Sequence, residues 1–134
     1  MSISVSLPFR GTFDRTISAK DLVMYAGLVG IENTLQVPGY VEDTDPAQTN
    51  HTAQLFLLSI VSGFLVSQLS DPDSKCINIQ IEFLTKVNCG DQIETTIELS
   101  DQNPEKHLET YKVNSYNQRK EQVITGQAVM LVPG

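Results

Sequence analysis

The chain has 134 residues, 40% of them hydrophobic and 19% charged, with a formal net charge of −7 at pH 7. The length gives a single domain over residues 1–134 with a real core, and the composition is that of a soluble globular protein. The acidic balance argues against a general nucleic-acid surface and leaves an anionic small ligand to whatever basic groups cluster locally.

The opening MSISVSLPFRG lacks a long apolar core and a cleavage site, so no signal peptide is expected and a cytoplasmic location follows. Cys76 and Cys89 show neither CxxC nor metal-ligand spacing and read as two reduced thiols. Asn50-His51-Thr52 is a glycosylation sequon on paper, without the secretory signal that would give it meaning.

The first dozen residues, with Pro8 and Gly11, read as an irregular lead-in, and Phe13–Ile17 as a short strand. Ser18 and Asp21 have the spacing of a capping box. Leu22, Tyr25, Ala26 and Val29 follow at helical spacing, and Gly30 is placed to close the helix, so a helix is predicted over 19–29. Residues 30–50 hold Pro38, Gly39, Pro46 and the acids Glu42, Asp43 and Asp45, and read as a loop with one or two short helical turns.

Residues 53–69, AQLFLLSIVSGFLVSQL, carry no charge. Apolar residues cover nearly every side, which predicts a helix buried on most faces. Ser59, Ser62, Gly63 and Ser67 form a stripe of small residues that would let a sheet or second helix approach. At ~1.5 Å per residue such a helix is ~25 Å long. That is short of the ~20 apolar residues of a membrane span, and the serines and glutamines also argue against lipid. Ser70-Asp71-Pro72-Asp73-Ser74 ends it.

From Lys75 the period changes to two. Ile77, Ile79, Ile81 and Phe83 alternate with polar residues, and after the turn cluster Asn88–Asp91 so do Ile93, Thr95, Ile97 and Leu99. His107–Tyr116 and Val123–Val132 supply two further strands, after turns at 101–106 and 117–121. Short connections between these four strands favour an antiparallel meander, with one apolar face that the buried helix would cover.

A buried helix followed by a long antiparallel meander suggests an α+β hotdog fold, a sheet wrapped around a central helix. Four segments sharpen this: RTIS-x-x-D-x-x-x-YAGL-x-G (Arg15–Gly30), VSGFL (Val61–Leu65), FL-x-KV-x-x-GD (Phe83–Asp91) and TGQAVMLVP (Thr125–Pro133). In this order and spacing the chain resembles the MaoC-like dehydratases, the (R)-specific enoyl-CoA hydratases and related 3-hydroxyacyl-thioester dehydratases. The resemblance implies acyl thioesters of coenzyme A or acyl carrier protein as substrates. It implies water added to or removed from the bond next to the thioester carbonyl, no metal or organic cofactor, and a homodimer or a heterodimer with a related hotdog subunit. It also implies an Asp/His pair from a G-D-x-N-P-x-H segment, with help from an A-H-G-M segment at the start of the buried helix.

Those segments fall on Gly30–Gln36 and on Thr52–Leu55. The acid position holds Ile31, the histidine position holds Gln36, and the second motif's histidine position holds Ala53. Neither isoleucine nor glutamine exchanges a proton in the working range. Glu32 and His51 stand nearby and read either as a substitute pair or as a solvated loop acid and a polar residue near the helix start. Asn33 is the matched polar residue, holding the loop or touching the thioester. Lys86, Arg119 and Lys120 are the candidate cations for the carrier's phosphates, or else exposed surface charges.

The sequence therefore supports an acyl-thioester hydratase with an unorthodox pair, or a non-catalytic binder or partner subunit of an active hotdog enzyme. A hotdog thioesterase ranks last, because it needs an acid on or near the buried helix and residues 53–69 contain none.

Overall fold

The computed structural model describes residues 3–6, 10–29, 46–66 and 73–133. In chain order the elements are β1 (Ile3–Ser6), β2 (Arg10–Thr16), α1 (Ala19–Val29), α2 (Pro46–Phe64), β3 (Lys75–Phe83), β4 (Gln92–Asn103), β5 (Leu108–Tyr116) and β6 (Gln122–Leu131). The strands form one six-stranded sheet in the order β1-β2-β4-β5-β6-β3, antiparallel at every pairing.

The period-two pattern of the second half sets the inner face. Ile93, Thr95 and Ile97 of β4 stand in register with Val113 and Ser115 of β5 and with Phe13 of β2, and all are buried. Ile124, Ala128 and Met130 of β6 continue the layer. Thr95 and Ser115 satisfy each other there through a 2.7 Å hydroxyl–hydroxyl hydrogen bond, as buried polar groups must.

Helix α2 lies on this face through Ala53, Leu57, Val61, Phe64 and Leu65, all buried and spaced at helical intervals. Burying one such leucine stabilises the fold by about 1.5–3 kcal/mol. The Phe64 ring packs on Phe13, with centroids 4.6 Å apart.

Helix α1 has the bounds that its periodicity predicts. Ser18 Oγ accepts from the Asp21 backbone N–H at 3.1 Å, and the Asp21 carboxylate is in turn hydrogen-bonded to Ser18 and Arg15, the reciprocal pattern of a capping box. The Asn88–Asp91 turn also forms as expected, with Gly90 at φ 95° and the Asn88 N–H donating to Asp91 Oδ2 at 2.9 Å.

Four expectations are corrected. The lead-in is not irregular where it is described: β1 pairs with β2, and β2 runs along β4 from Arg10 to Thr16. The central helix already includes residues 46–52, ahead of the expected start at Ala53, and it is described through Phe64 and a wider, π-type turn at Leu65–Val66. Proline at position 46 suits a first helical turn, where its missing N–H costs nothing. Residues 67–72, and with them Ser67 and Pro72, lie outside the described residues.

The helix is also not buried on most sides. One stripe meets the sheet, while Leu55, Ser59, Gly63 and Val66 are exposed. The small residues therefore face away from the sheet, and Ser59 and Ser62 donate back to the Leu55 and Leu58 carbonyls.

The four later strands are not a simple meander. β3 pairs with β6 and is an edge strand, separated from β4 by two others. Its register shifts between Cys76 and Asn78, which leaves Ile77 as the extra residue of a bulge and 54% exposed. Ile79, Ile81 and Phe83 face inward but only half-buried. Cys76 is exposed, Cys89 is half-buried, and both are free thiols.

Candidate functional site

Gly30, Ile31, Glu32, Asn33 and Gln36, the whole of the first motif, lie outside the described residues. His51 falls within α2, but its side chain is likewise outside them. The second motif is visible from Thr52. Thr52 and Ala53 are buried, and Ala53 has no exposed surface. The position where the resemblance implies a histidine is thus a methyl group packed in the core.

The surroundings of this helix start are well defined. Phe64 of α2 meets Phe13 of β2, and Phe56 meets Arg15 two residues further along. α2 therefore runs back along β2, with its N-terminal half toward the end of that strand. The Arg15 guanidinium lies over the Phe56 ring at 5.6 Å from its centroid, within cation–π range. The same guanidinium pairs with Asp21 of α1 at 3.3 Å. Tyr25 of α1 packs against Phe56, with centroids 5.5 Å apart, and its hydroxyl meets Ser59 Oγ at 3.2 Å.

Burial pushes the Asp21 carboxyl up. The hydrogen bonds from Ser18 and Arg15 and the Arg15 charge together outweigh it and hold the group below its ordinary value. Asp14, Arg15, Thr16, Ser18, Asp21 and Gln92 line a cavity of about 550 Å³ beside this contact.

The three candidate cations gather at the same end of the sheet. Thr16 at the end of β2 pairs with Gln92, whose N–H donates to Gln118 Oε1 at 3.0 Å. Leu84 and Thr85 are hydrogen-bonded to Val123 and Gln122 at the start of β6, which brings the Lys86 segment to the 117–121 turn. Asp91, nearly fully buried, accepts from Gln118 Nε2 at 3.1 Å. Lys86, Arg119 and Lys120 are all exposed. Arg119 Nε is engaged by Glu121 at 2.6 Å, and this hydrogen bond raises its pKa. Lys120 sits at φ 64°, in the left-handed region at the turn.

The sequence reading missed that Arg15 stacks on Phe56 and that Tyr25 meets both Phe56 and Ser59. Its signal was present: Arg15 alternates with Phe13 toward the core side of a strand, which is an unusual place for a guanidinium unless something pairs with it. Among the described residues no group of three or more His, Cys, Asp or Glu is arranged to hold a metal ion. None of the described helices is long and apolar enough to cross a membrane.

No family model matches the chain. It is similar to the 3-hydroxybutyryl-CoA dehydratase of Methylorubrum extorquens, with 24% identity over 119 residues that cover 89% of this chain and 75% of the relative. Its fold matches the (R)-hydratase of A. caviae involved in PHA biosynthesis with a TM-score of 0.75 and 23% identity, covering 97% of this chain and 98% of that one. This is a hotdog fold. The R-hydratase PhaJ1 of Pseudomonas aeruginosa matches the hotdog fold at a TM-score of 0.74 with 20% identity, over 97% of this chain and 82% of that one. The resemblance read from four sequence segments is borne out, and the hotdog wrapping explains why α2 carries a single buried stripe.

Proposed function

We propose that this hotdog domain acts on or binds acyl thioesters of coenzyme A or acyl carrier protein. On this reading it is a hydratase/dehydratase-type protein of cytoplasmic fatty acid metabolism from which the usual Asp/His pair has been lost. The observation that carries it is Ala53: the scaffold is retained while a core methyl stands where the resemblance implies a histidine. Asn33 contacts the thioester end in this reading, and Lys86 and Lys120 receive the carrier's phosphates. Arg119, already engaged by Glu121, contributes less.

Hydration of crotonyl-CoA, followed by loss of enoyl-thioester absorbance, tests the reaction. Loss of a general acid–base pair typically costs about 10²–10⁴-fold in rate, so turnover at the level of an intact enzyme would refute the loss of the pair. Turnover that disappears in Glu32→Gln or His51→Ala would assign those residues as substitutes. A rise in melting temperature with butyryl-CoA but no turnover is the expected result.

A second reading has its own observation. Among the described residues β3 is an edge strand of the sheet, with its inward residues Ile79, Ile81 and Phe83 half-buried and its Ile77 exposed. Open edges of this kind accept another strand, which supports a homodimer or a heterodimer with an active hotdog subunit. Sedimentation of the wild type against Ile77→Lys, which places a charge on the exposed edge residue, distinguishes a strand-paired dimer from a monomer.

A further inference from the structure

At one end of the inner face an acid stands where the alternation calls for a core residue. Tyr111, Val113 and Ser115 of β5 are buried on that face. Glu109 comes two residues before Tyr111 and so projects to the same side. It is in register with Gln102 of β4 and with buried Met130 of β6, and is itself half-buried. A carboxylate on the core side of a sheet is costly unless its charge is hydrogen-bonded or paired. Hydrogen bonds are present. The Tyr111 hydroxyl donates to Glu109 Oε1 at 3.1 Å, and Gln102 Nε2 donates to Oε2 at 2.9 Å. Burial, and then the Glu109 charge, push the Tyr111 phenol up, so it keeps its proton and remains a donor. A cation is missing: among the described residues no Lys, Arg or His forms an ion pair with Glu109.

Beside the carboxylate lies a cavity of about 380 Å³, within the ~300–1,000 Å³ of small-molecule pockets. Glu109, Gln102 and His107 give it a polar side, and Pro104, Leu108 and Val132 give it apolar walls. The β4–β5 turn and the end of β6 hold these walls together, with the Val132 N–H donating to the His107 carbonyl at 2.8 Å. The cavity is at the opposite end of β4 from Gln92 and the candidate cations.

We propose that this cavity binds a small primary alkylammonium. Each Glu109 oxygen accepts one hydrogen bond and retains the capacity for another. The ammonium donates to that free capacity, while the alkyl chain lies against Leu108, Val132 and Pro104. Tyr111 and Gln102 already hold the carboxylate in place, which lowers the ordering cost of binding. A neutral alcohol of the same length gains the apolar contact without the charge-assisted hydrogen bond. The site does not depend on the thioester function proposed above.

The test titrates hexylammonium chloride and 1-hexanol into isotope-labelled protein at neutral pH and follows the amide signals by NMR. Hexylammonium should bind with a Kd of about 1 mM, with shifts centred on residues 102–109 and 132. Hexanol should bind about tenfold more weakly. Glu109→Gln keeps an acceptor for Tyr111 but removes the charge. It should weaken hexylammonium about tenfold and leave hexanol unchanged. Val132→Lys supplies an ammonium from the cavity wall itself and should compete, weakening hexylammonium likewise. No binding by the wild type, equal affinity for the amine and the alcohol, full amine binding by either variant, or shifts centred elsewhere would overturn the proposal. If Glu109→Gln does not fold, the wild-type comparison and Val132→Lys decide it by the same criteria.

Discussion

The carbonyl oxygen of Gln80 occupies the space that a Cβ on Gly126 would need, and the Ile81 side chain closes the same space at 2.8 Å. β3 and β6 approach here more closely than any side chain permits, at the register pair Ile81–Gly126. Gly126→Ala should therefore destabilise the protein by about 1–3 kcal/mol through backbone displacement. Urea unfolding with an unchanged m-value checks this, and a neutral result would show that the sheet edge adjusts freely.

Gly63 is the opposite case. A Cβ there meets nothing within 4 Å. Near the end of α2 it carries only the entropic cost of glycine in a helix, so Gly63→Ala should stabilise by about 0.5–1 kcal/mol. Thermal unfolding measures the shift. A loss of stability instead would mean that a second polypeptide covers this face in solution.

The buried pair Thr95–Ser115 gives a double-mutant cycle. Thr95→Val leaves the Ser115 hydroxyl buried without its 2.7 Å partner and should cost about 1–3 kcal/mol. Adding Ser115→Ala removes the orphaned group and should recover part of that loss. Equal, additive losses in urea melts would show that the two hydroxyls act independently.

The Asp21 carboxyl is held below its ordinary value of 3.8 in the folded protein. A depressed folded pKa stabilises above the unfolded value, and the contribution is lost as pH falls through the folded one. The melting-temperature gap between wild type and Asp21→Asn should therefore be full near about pH 6 and shrink steadily below about pH 4. A gap that stays constant into acid would mean that the Arg15 pair does not depend on the Asp21 charge.

The two thiols should differ in reactivity. Cys76 is exposed on the edge strand, whereas Cys89 is half-buried and its thiol is pushed up by burial and then by the Asp91 charge. Ellman's reagent should modify Cys76 at least about tenfold faster. Cys76→Ser should abolish the fast phase, and a surviving fast phase would contradict this.

The sequence was most informative where periodicity and turn chemistry agreed. Ser18 and Asp21 bounded α1, and the alternation from Ile93 to Leu99 set the inner face of β4. It was less informative where tertiary pairing decides. Nothing local in Arg10–Asp14 shows that it will lie beside Glu94–Glu98. The Ile77 alternation fails because a single extra residue, visible only in the register with β6, turns that side chain out. The uncharged run at 53–69 suggested burial on most sides, whereas exposed Leu55 and Val66 mark where its apolar character exceeds what one sheet can cover. The substitutions at Ile31, Gln36 and Ala53 were legible as departures from a motif, but the Arg15–Phe56 contact was not, because it joins residues 41 apart across two elements.

The placement of β6 between β5 and β3 has a consequence for the order of events during synthesis. β3 leaves the ribosome long before β6, the one strand it pairs with among the described residues, so this pairing waits until residues 122–131 have emerged. The sheet thus closes late, by a contact distant along the chain, which is the slow kind. A nascent chain stalled before Gln122 would present β3 and the floor of α2 to chaperones.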